Sequence, residues 1–377
     1  MHGHGGVLLE HYKALGLHLD LRPEDRFFWF SSTSWIMWNM LIGGLLHGAT
    51  VVLYDGSPLY PDRSAQWELV ADHSVTFFGT GAAYVSSCCR ADLQPNNSYD
   101  LSKLRGIGVT GSPLPADAFR WVYNAVSSDI WLTSISGGSD VATGFVMGAP
   151  TLPVYVGELQ CRALGVAMEA WDENSEPQIG TVGELVITRP MPSMPVFFWG
   201  DKDGSRYYNS YFDTFPGVWR HGDFVTVTTR GTAVIHGRSD STINRQGIRM
   251  GSSDLYDVIE RLPEIADSLV IGAELEDGGY YMPLFVVLAS GFQLTDELKT
   301  RINEAIRTGA SPRHVPDEIV EAPGIPRTLT GKKIEVPIKR IFQGHSDDAE
   351  LNPENLDRPE LADFYSTFSA QFRLRHI

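Results

Sequence analysis

Cysteine is scarce in this chain: among 377 residues only Cys88, Cys89 and Cys161 occur. An adjacent pair plus one distant thiol makes neither a disulfide framework nor a zinc-ligand spacing, so a reducing, cytoplasmic setting is expected. Positive charge is short as well, with 30 Lys and Arg against 46 Asp and Glu. The net charge of −16 repels nucleic acid and anionic membrane surfaces at long range, so neither is expected as a partner. Small anionic ligands stay open wherever a few cations focus the local field. The opening residues carry no basic-then-apolar signal pattern. The longest stretch without a formal charge, residues 27–54, has the length of a membrane span. Its interior argues otherwise, because Ser31–Ser34, Asn39, Gly43-Gly44 and His47-Gly48 interrupt it. It reads as a strand over 27–30, a buried helix over 35–46 and a strand over 50–54, with no membrane insertion.

What is present describes a soluble globular protein: 43% hydrophobic and 20% charged residues, in a chain long enough for two or three domains. Short apolar strands recur in "TVVLYDGSP", "VTFFGTGA", "GIGVTGSPLP" and "IWLTSISGGSD", with helical stretches such as 64–72 and 116–127 between them. That alternation predicts a mainly parallel α/β sheet whose ligand loops lie at the carboxyl ends of the strands. "GELVIT" and "TAVIHGR" look like strands of a more antiparallel region. After Asp240 come a helix over 253–261, strands "SLVIGAEL" and "MPLFVVLA", a helix over 295–308 and a strand near 318–320, enough for a small α+β domain. Residues 346–359 are polar and acidic and read as a solvated extension before a last helix. The expected division is therefore 1–239 and 240–377.

Four loops hold residues suited to chemistry, and each has a plain structural alternative. "TGSPLP" (110–115) is a rigid turn able to present backbone groups to a flat ring, or an ordinary strand-to-helix turn. "SISGGSD" (134–140) offers a hydroxyl and a carboxylate, hard ligands for Mg²⁺ with phosphate oxygens, or a helix cap. "WRHGD" (219–223) places a carboxylate after a glycine turn, where it can accept two hydrogen bonds from vicinal hydroxyls or close an Asx-turn. "PRTLTGKK" (326–333) is a proline-bounded basic loop with a lysine after Thr-Gly. His2, His4, His11 and His18 lack the company and spacing of a closed metal site.

In this order, together with "GRSDSTINRQGIRMGSSDLYDVIE" (237–260), the loops resemble the adenylate-forming superfamily of acyl-CoA synthetases, luciferases and peptide adenylation domains. "SSTSWIMWNMLIGGLLHGATVVLYDGSPL", "ISGGSD" and "GAPTLPVYVGELQCRALGVAMEAW" give a narrower likeness to its acetoacetate-activating members. The resemblance implies an α/β fold made of part of a large AMP-binding domain and a smaller α+β carboxy-terminal domain. It implies ATP-dependent, AMP-forming ligation of acetoacetate to coenzyme A through an acyl-adenylate, with Mg²⁺. Gly111, Ser112 and Pro113 are then expected at adenine, Ser139 at the α-phosphate and Asp140 at Mg²⁺, although most relatives carry the longer Thr-Glu there. Asp223 is expected at the ribose, with Arg238 on ribose or phosphate, and Asp240 as the hinge. Gly247 and Arg249 are expected at the coenzyme A tunnel. Lys332 is expected to bridge carboxylate and α-phosphate, and to be a target of a lysine acetyltransferase and deacetylase. Trp35, Ile36 and Met37 are expected to line the acyl pocket. Gly137 is expected where acetate-activating relatives carry a tryptophan, its smallness opening room for a four-carbon acid. The superfamily's phosphate loop normally precedes the segment matching His2–His11, so the chain is expected to be the carboxy-terminal portion of a longer polypeptide. The alternatives are a non-catalytic nucleotide- or coenzyme A-binding fragment and a short-chain synthetase of other specificity.

Overall fold

Five short strands rich in aromatic and β-branched residues make a parallel sheet: β1 (Arg26–Trp29), β2 (Thr50–Val52), β3 (Phe77–Gly81), β4 (Gly106–Thr110) and β5 (Trp131–Ser134). Their order is β2-β1-β3-β4-β5, and every pairing is parallel. Each crossover carries a helix, over Ile36–Gly43, Ala65–Asp72, Ala82–Arg90 and Ala116–Ala125. Because successive strand residues point to opposite faces, Phe27, Trp29 and Phe77 enter one core while Phe28 and Phe78 enter another with Trp67 and Phe119. In this computed structural model the described residues are all but 34, 240–242, 246–247, 251, 276–279, 329–330, 346–350 and 377. Among them no helix is long and apolar enough to cross a membrane.

One side chain shows why glycine recurs in these strands. The Trp29 indole lies so close over the sheet that a Cβ on Gly79 would sit 2.0 Å from it, and one on Gly108 2.6 Å. Any larger residue at either position would displace the ring from the centre of the core.

Antiparallel strands follow, the last of them running past residue 235. β6 (Ser136–Gly138), β7 (Thr143–Met147) and β8 (Cys161–Arg162) form one small sheet. A second contains β9 (Met168–Trp171), β10 (Pro177–Gln178), β11 (Val182–Ile187), β12 (Trp219–Val227) and β13 (Ala233–Arg238) in the order β10-β9-β11-β12-β13. Residues 1–235 form one compact unit and 236–377 another. The second has a three-stranded sheet of Ile265–Val270, Pro283–Leu288 and Glu318–Glu321, packed with helices Ser252–Ile259, Asp296–Gly309, Glu335–Phe342 and Leu361–His376.

The opening glycines and histidines lead into a helix, His4–Lys13, in a segment where the glycines hide helical periodicity. Two features depart from the sequence reading. The helix expected over 35–46 is Ile36–Gly43, continued as a tighter turn, Gly44–His47. The segment expected to be solvated is partly core. Leu351 and Leu356 are buried with the second unit's apolar cluster, and the Arg327 N–H donates to Asp357 Oδ1 at 3.1 Å. Residues 346–350 of that segment lie outside the described residues.

At the amino ends of β1, β3 and β4 a carboxylate joins three segments. Arg105 grips Asp25 with two hydrogen bonds, of 2.9 and 2.7 Å, while the Thr76 hydroxyl and the Arg22 N–H donate to the same carboxylate at 2.6 and 2.7 Å. Burial alone would raise the Asp25 carboxyl, but these donors outweigh it and hold it below its ordinary value. A depressed carboxyl contributes stability above its unfolded pKa of about 4, and loses it as pH falls through the lower native value. Asp25→Asn should therefore cost about 2 kcal/mol at neutral pH, less than a fully buried pair because Arg105 is one-third exposed. Urea unfolding at pH 7 and again near pH 3 checks this, since the gap between variant and parent should shrink at the lower pH.

Candidate active site

β4 and β5 pair in parallel with Val109 opposite Ser134, so the loops that follow them leave the sheet side by side at its carboxyl edge. The Ile135 N–H donates to the Val109 carbonyl at 2.9 Å, and the Thr110 hydroxyl to the Ile135 carbonyl at 2.7 Å. Two of the four loops read from the sequence are thereby stitched together. Gly111 follows at φ +96°, a conformation that L side chains rarely adopt, and it turns the chain so that Ser112 and Pro113 are exposed. The Trp35 ring lies beside it, 3.8 Å from where a Gly111 Cβ would be. Trp35 is buried and precedes the helix that begins at Ile36. Ile36 is half-buried against the core, and Met37 is inside it.

The "GGSD" segment forms the β6–β7 hairpin, and Gly137 lies close against the facing strand. An ideal Cβ there would sit 2.2 Å from the Thr143 carbonyl oxygen and 2.5 Å from Gly144 Cα, on the facing strand. The hairpin's own backbone demands glycine at a position where the register also shifts.

In the hairpin turn, Ser139 and Asp140 are exposed. Asp140 Oδ1 accepts a short hydrogen bond from the Tyr211 hydroxyl, 71 residues away in sequence. The Tyr211 ring stacks on Trp219 with centroids 3.5 Å apart, and Trp219 opens β12, the strand that carries His221 and Asp223. His221 packs edge-on against Phe145 at 4.6 Å, with Nε2 3.7 Å from Asp223 Oδ2. A Cβ on Gly138 would meet both His221, at 2.7 Å, and Asp140, at 3.1 Å. Asp140, Tyr211, His221 and Asp223 thus belong to one connected group of side chains. Asp223 is buried within β12 beside Gly222, whose φ of +84° kinks the strand.

Sequence reasoning named both carboxylates but missed Tyr211 and His221. His221 sits inside "WRHGD" and was available to notice, whereas nothing in "SRYYNSY" marks Tyr211. Among the described residues, no group of three or more His, Cys, Asp or Glu side chains is placed to hold a metal. Asp140 with neighbouring hydroxyls instead suits a hard cation carried in largely on ligand phosphates. The early histidines are struts. His11 Nε2 bonds the Ala142 carbonyl at 2.9 Å, and His18 bridges the Gly148 carbonyl and the Leu164 N–H at 2.7 and 2.9 Å. Burial lowers the pKa of both, which keeps them neutral in this role.

The remaining expected site residues belong to the second unit. Arg238 is exposed at the end of β13. Asp240 and Gly247 lie outside the described residues, and Arg249 is described through its backbone alone, in the strand Ile248–Met250. The two adjacent lysines of the basic loop differ sharply. Lys333 Nζ donates to Glu260 at 2.6 Å and lies 3.5 Å over the Tyr256 ring, whereas Lys332 is exposed.

The description "AMP-binding enzyme" matches residues 1–195, and "AMP-binding enzyme C-terminal domain" matches residues 257–332. The chain is similar to the acetoacetyl-coenzyme A synthetase of Rhizobium meliloti (strain 1021), 44% identical over 360 residues, which covers 95% of this chain and 55% of that protein. It is 42% identical over 372 residues to the acetoacetyl-CoA synthetase of Mus musculus, covering 97% and 55% respectively. The solved acetoacetyl-CoA synthetase from Streptomyces lividans superposes with a TM-score of 0.90 at 54% identity, across 98% of this chain and 57% of that one. An anthranilate CoA ligase in complex with anthranoyl-AMP shares the fold, with a TM-score of 0.72 at 20% identity, across 88% of this chain and 62% of that one. The chain spans about half the length of the curated relatives it matches.

If the hairpin demands glycine at 137, Gly137→Ala should destabilise the protein by about 1–3 kcal/mol, the usual cost of forcing atoms into a packed site. Calorimetry would show this as a lowered Tm. An unchanged Tm would mean that the position faces open space.

Proposed function

The chain belongs to the AMP-binding enzyme family, and on that footing we propose that it carries the site for activating acetoacetate with ATP and joining it to coenzyme A. The observation that carries this reading is the meeting of the 110–113 and 136–140 loops at one sheet edge, with Asp140 tied through Tyr211 and Trp219 to the strand of Asp223. The names and identities of the relatives support acetoacetate as the acid.

Gly111, Ser112 and Pro113 line the adenine slot, where an exposed, rigid turn offers backbone groups to a flat ring. Asp223 accepts the ribose hydroxyls, and Arg238 acts on ribose or phosphate. Trp35, with Ile36 and Met37 behind it, borders the acyl site. Ser139 contacts the α-phosphate. Asp140, oriented by Tyr211, would hold Mg²⁺, which would supply positive charge to the phosphates. An acetoacetate carboxylate oxygen attacks the α-phosphorus, and the bond to pyrophosphate breaks. Lys332 stabilises the charge that builds between carboxylate and phosphate in this step. The coenzyme A thiolate then attacks the acyl carbon, and AMP leaves with the bridging oxygen. The resemblance assigns Asp240 as the hinge between the two steps and Gly247 and Arg249 to coenzyme A binding; of these, Asp240 and Gly247 lie outside the described residues. Positioning and charge stabilisation dominate, because the substrates themselves carry the reactive bonds.

This chemistry suits a reducing cytoplasm, where three free thiols persist. Acetylation of Lys332 by a lysine acetyltransferase would erase its charge and silence the first step until a deacetylase restored it.

Exchange of labelled pyrophosphate into ATP, driven by acetoacetate, tests the reading directly. Robust exchange with acetoacetate is expected. Exchange with acetate or butyrate alone would indicate another short-chain specificity, and its absence with any acid would indicate a binding fragment. Lys332→Ala should reduce exchange by about 100-fold or more yet spare thioester formation from preformed adenylate. Equal losses in both halves would contradict the assigned role.

A further inference from the structure

In the second unit one guanidinium holds the turn that presents Lys332. Arg327 and Lys333 face each other as a bridged antiparallel pair. Between them the Thr328 N–H donates to the Lys332 carbonyl and the Gly331 N–H to the Thr328 carbonyl, both at 2.8 Å. The Lys332 N–H donates to the Thr328 hydroxyl at 3.2 Å. Across this turn Arg327 Nη1 donates at 2.8 Å to the carbonyl of Gly331, the residue immediately before Lys332. Nη2 grips both oxygens of Asp267, at 2.8 and 2.7 Å. Asp267 lies in the strand Ile265–Val270, so a single planar group ties the turn to the central sheet.

The next residue is anchored to the same group. Lys333 Nζ lies 3.4 Å from Asp267 as well as 2.6 Å from Glu260. Tyr256 beneath it donates to Glu335 at 2.6 Å and accepts from the Val270 N–H at 3.2 Å. Burial would raise the Asp267 carboxyl, but Lys333 and Arg327 outweigh it and hold it low, so the clamp is charged at neutral pH. Both neighbours of Lys332 are therefore fixed, one through its carbonyl and one through its ammonium, while the Lys332 side chain is exposed.

Resting on the reading of Lys332 as the adenylation lysine, we infer that Arg327 and Asp267 are positioning residues for that step, setting the backbone from which Lys332 projects and taking no part in thioester formation. The geometry needs a fork. A planar guanidinium can hold two carboxylate oxygens and a carbonyl at once, and an ammonium cannot reproduce that arrangement. A displacement of about 1 Å at a reacting group can cost about 100-fold in rate.

The test compares the parent with Arg327→Met, Arg327→Lys, Asp267→Asn and Lys332→Ala. Arg327→Met should lose adenylation by about 10–100-fold, measured as acetoacetate-driven pyrophosphate exchange, with Arg327→Lys falling in between. Thioester formation from preformed adenylate should be unchanged. Backbone amide exchange supplies a readout independent of turnover: protection at Gly331 and Lys332 should fall in Arg327→Met and Asp267→Asn. Equal losses in both half-reactions, or unaltered amide protection, would overturn the inference. If Lys332→Ala leaves adenylation intact, the reading of Lys332 fails and this inference with it. If Lys332→Ala is impaired while Arg327→Met is not, only the positioning role fails.

Discussion

The parallel register that sets Val109 opposite Ser134 decides where the chemistry-bearing loops can be. In a parallel sheet every strand runs out at the same edge, so loops 25 residues apart in sequence emerge as neighbours and can bond each other directly, as Thr110 does to Ile135. The same strands also make room for one large side chain. Trp29 covers Gly79 and Gly108 at distances that exclude any Cβ, and the glycines in "FFGTG" and "GIGVT" are the mark of this packing. The same glycines would look like weak points by strand propensity alone. Here they let the indole into the core.

A second constraint operates one layer further out. Asp140 stands on an exposed turn, where a carboxylate would ordinarily sample many orientations. Its bond to Tyr211 joins it to an aromatic stack that ends in β12, so the two carboxylates of the site are coupled through rings and not only through backbone. Two large rings stacked nearly parallel, with centroids 3.5 Å apart, leave each other little freedom to turn, which makes the stack a good spacer between polar groups. In the second unit the comparable spacer is ionic, with Arg327, Asp267, Lys333 and Glu260 forming a network around the turn at Lys332.

Much of this was legible in the sequence, and the exceptions share a cause. The parallel strands, the crossover helices and the four loops follow from local periodicity and from residues whose chemistry is conspicuous at short range. Tyr211 was invisible because its role depends on a partner 71 residues away, in a segment whose composition signals nothing. His221 lay in plain view beside Asp223 but had no meaning until Phe145 and Gly138 were placed around it. Polarity in the 346–359 segment suggested solvent, yet two leucines, Leu351 and Leu356, suffice to bury part of it. At Gly137 the facing strand occupies the position a side chain would take, a contact that composition does not report. Composition reports what a residue is able to do, and only packing reports which of its options is used.

We propose that the protein activates a carboxylate by forming a bond from its oxygen to the α-phosphorus of ATP. The most direct measurement uses acetoacetate labelled with ¹⁸O in its carboxyl group, with ATP and coenzyme A, followed by mass spectrometry of the nucleotide product. Attack at the α-phosphorus leaves one carboxyl oxygen on the phosphate, so AMP carrying the label is predicted. Unlabelled AMP, or ADP in place of AMP, would contradict it.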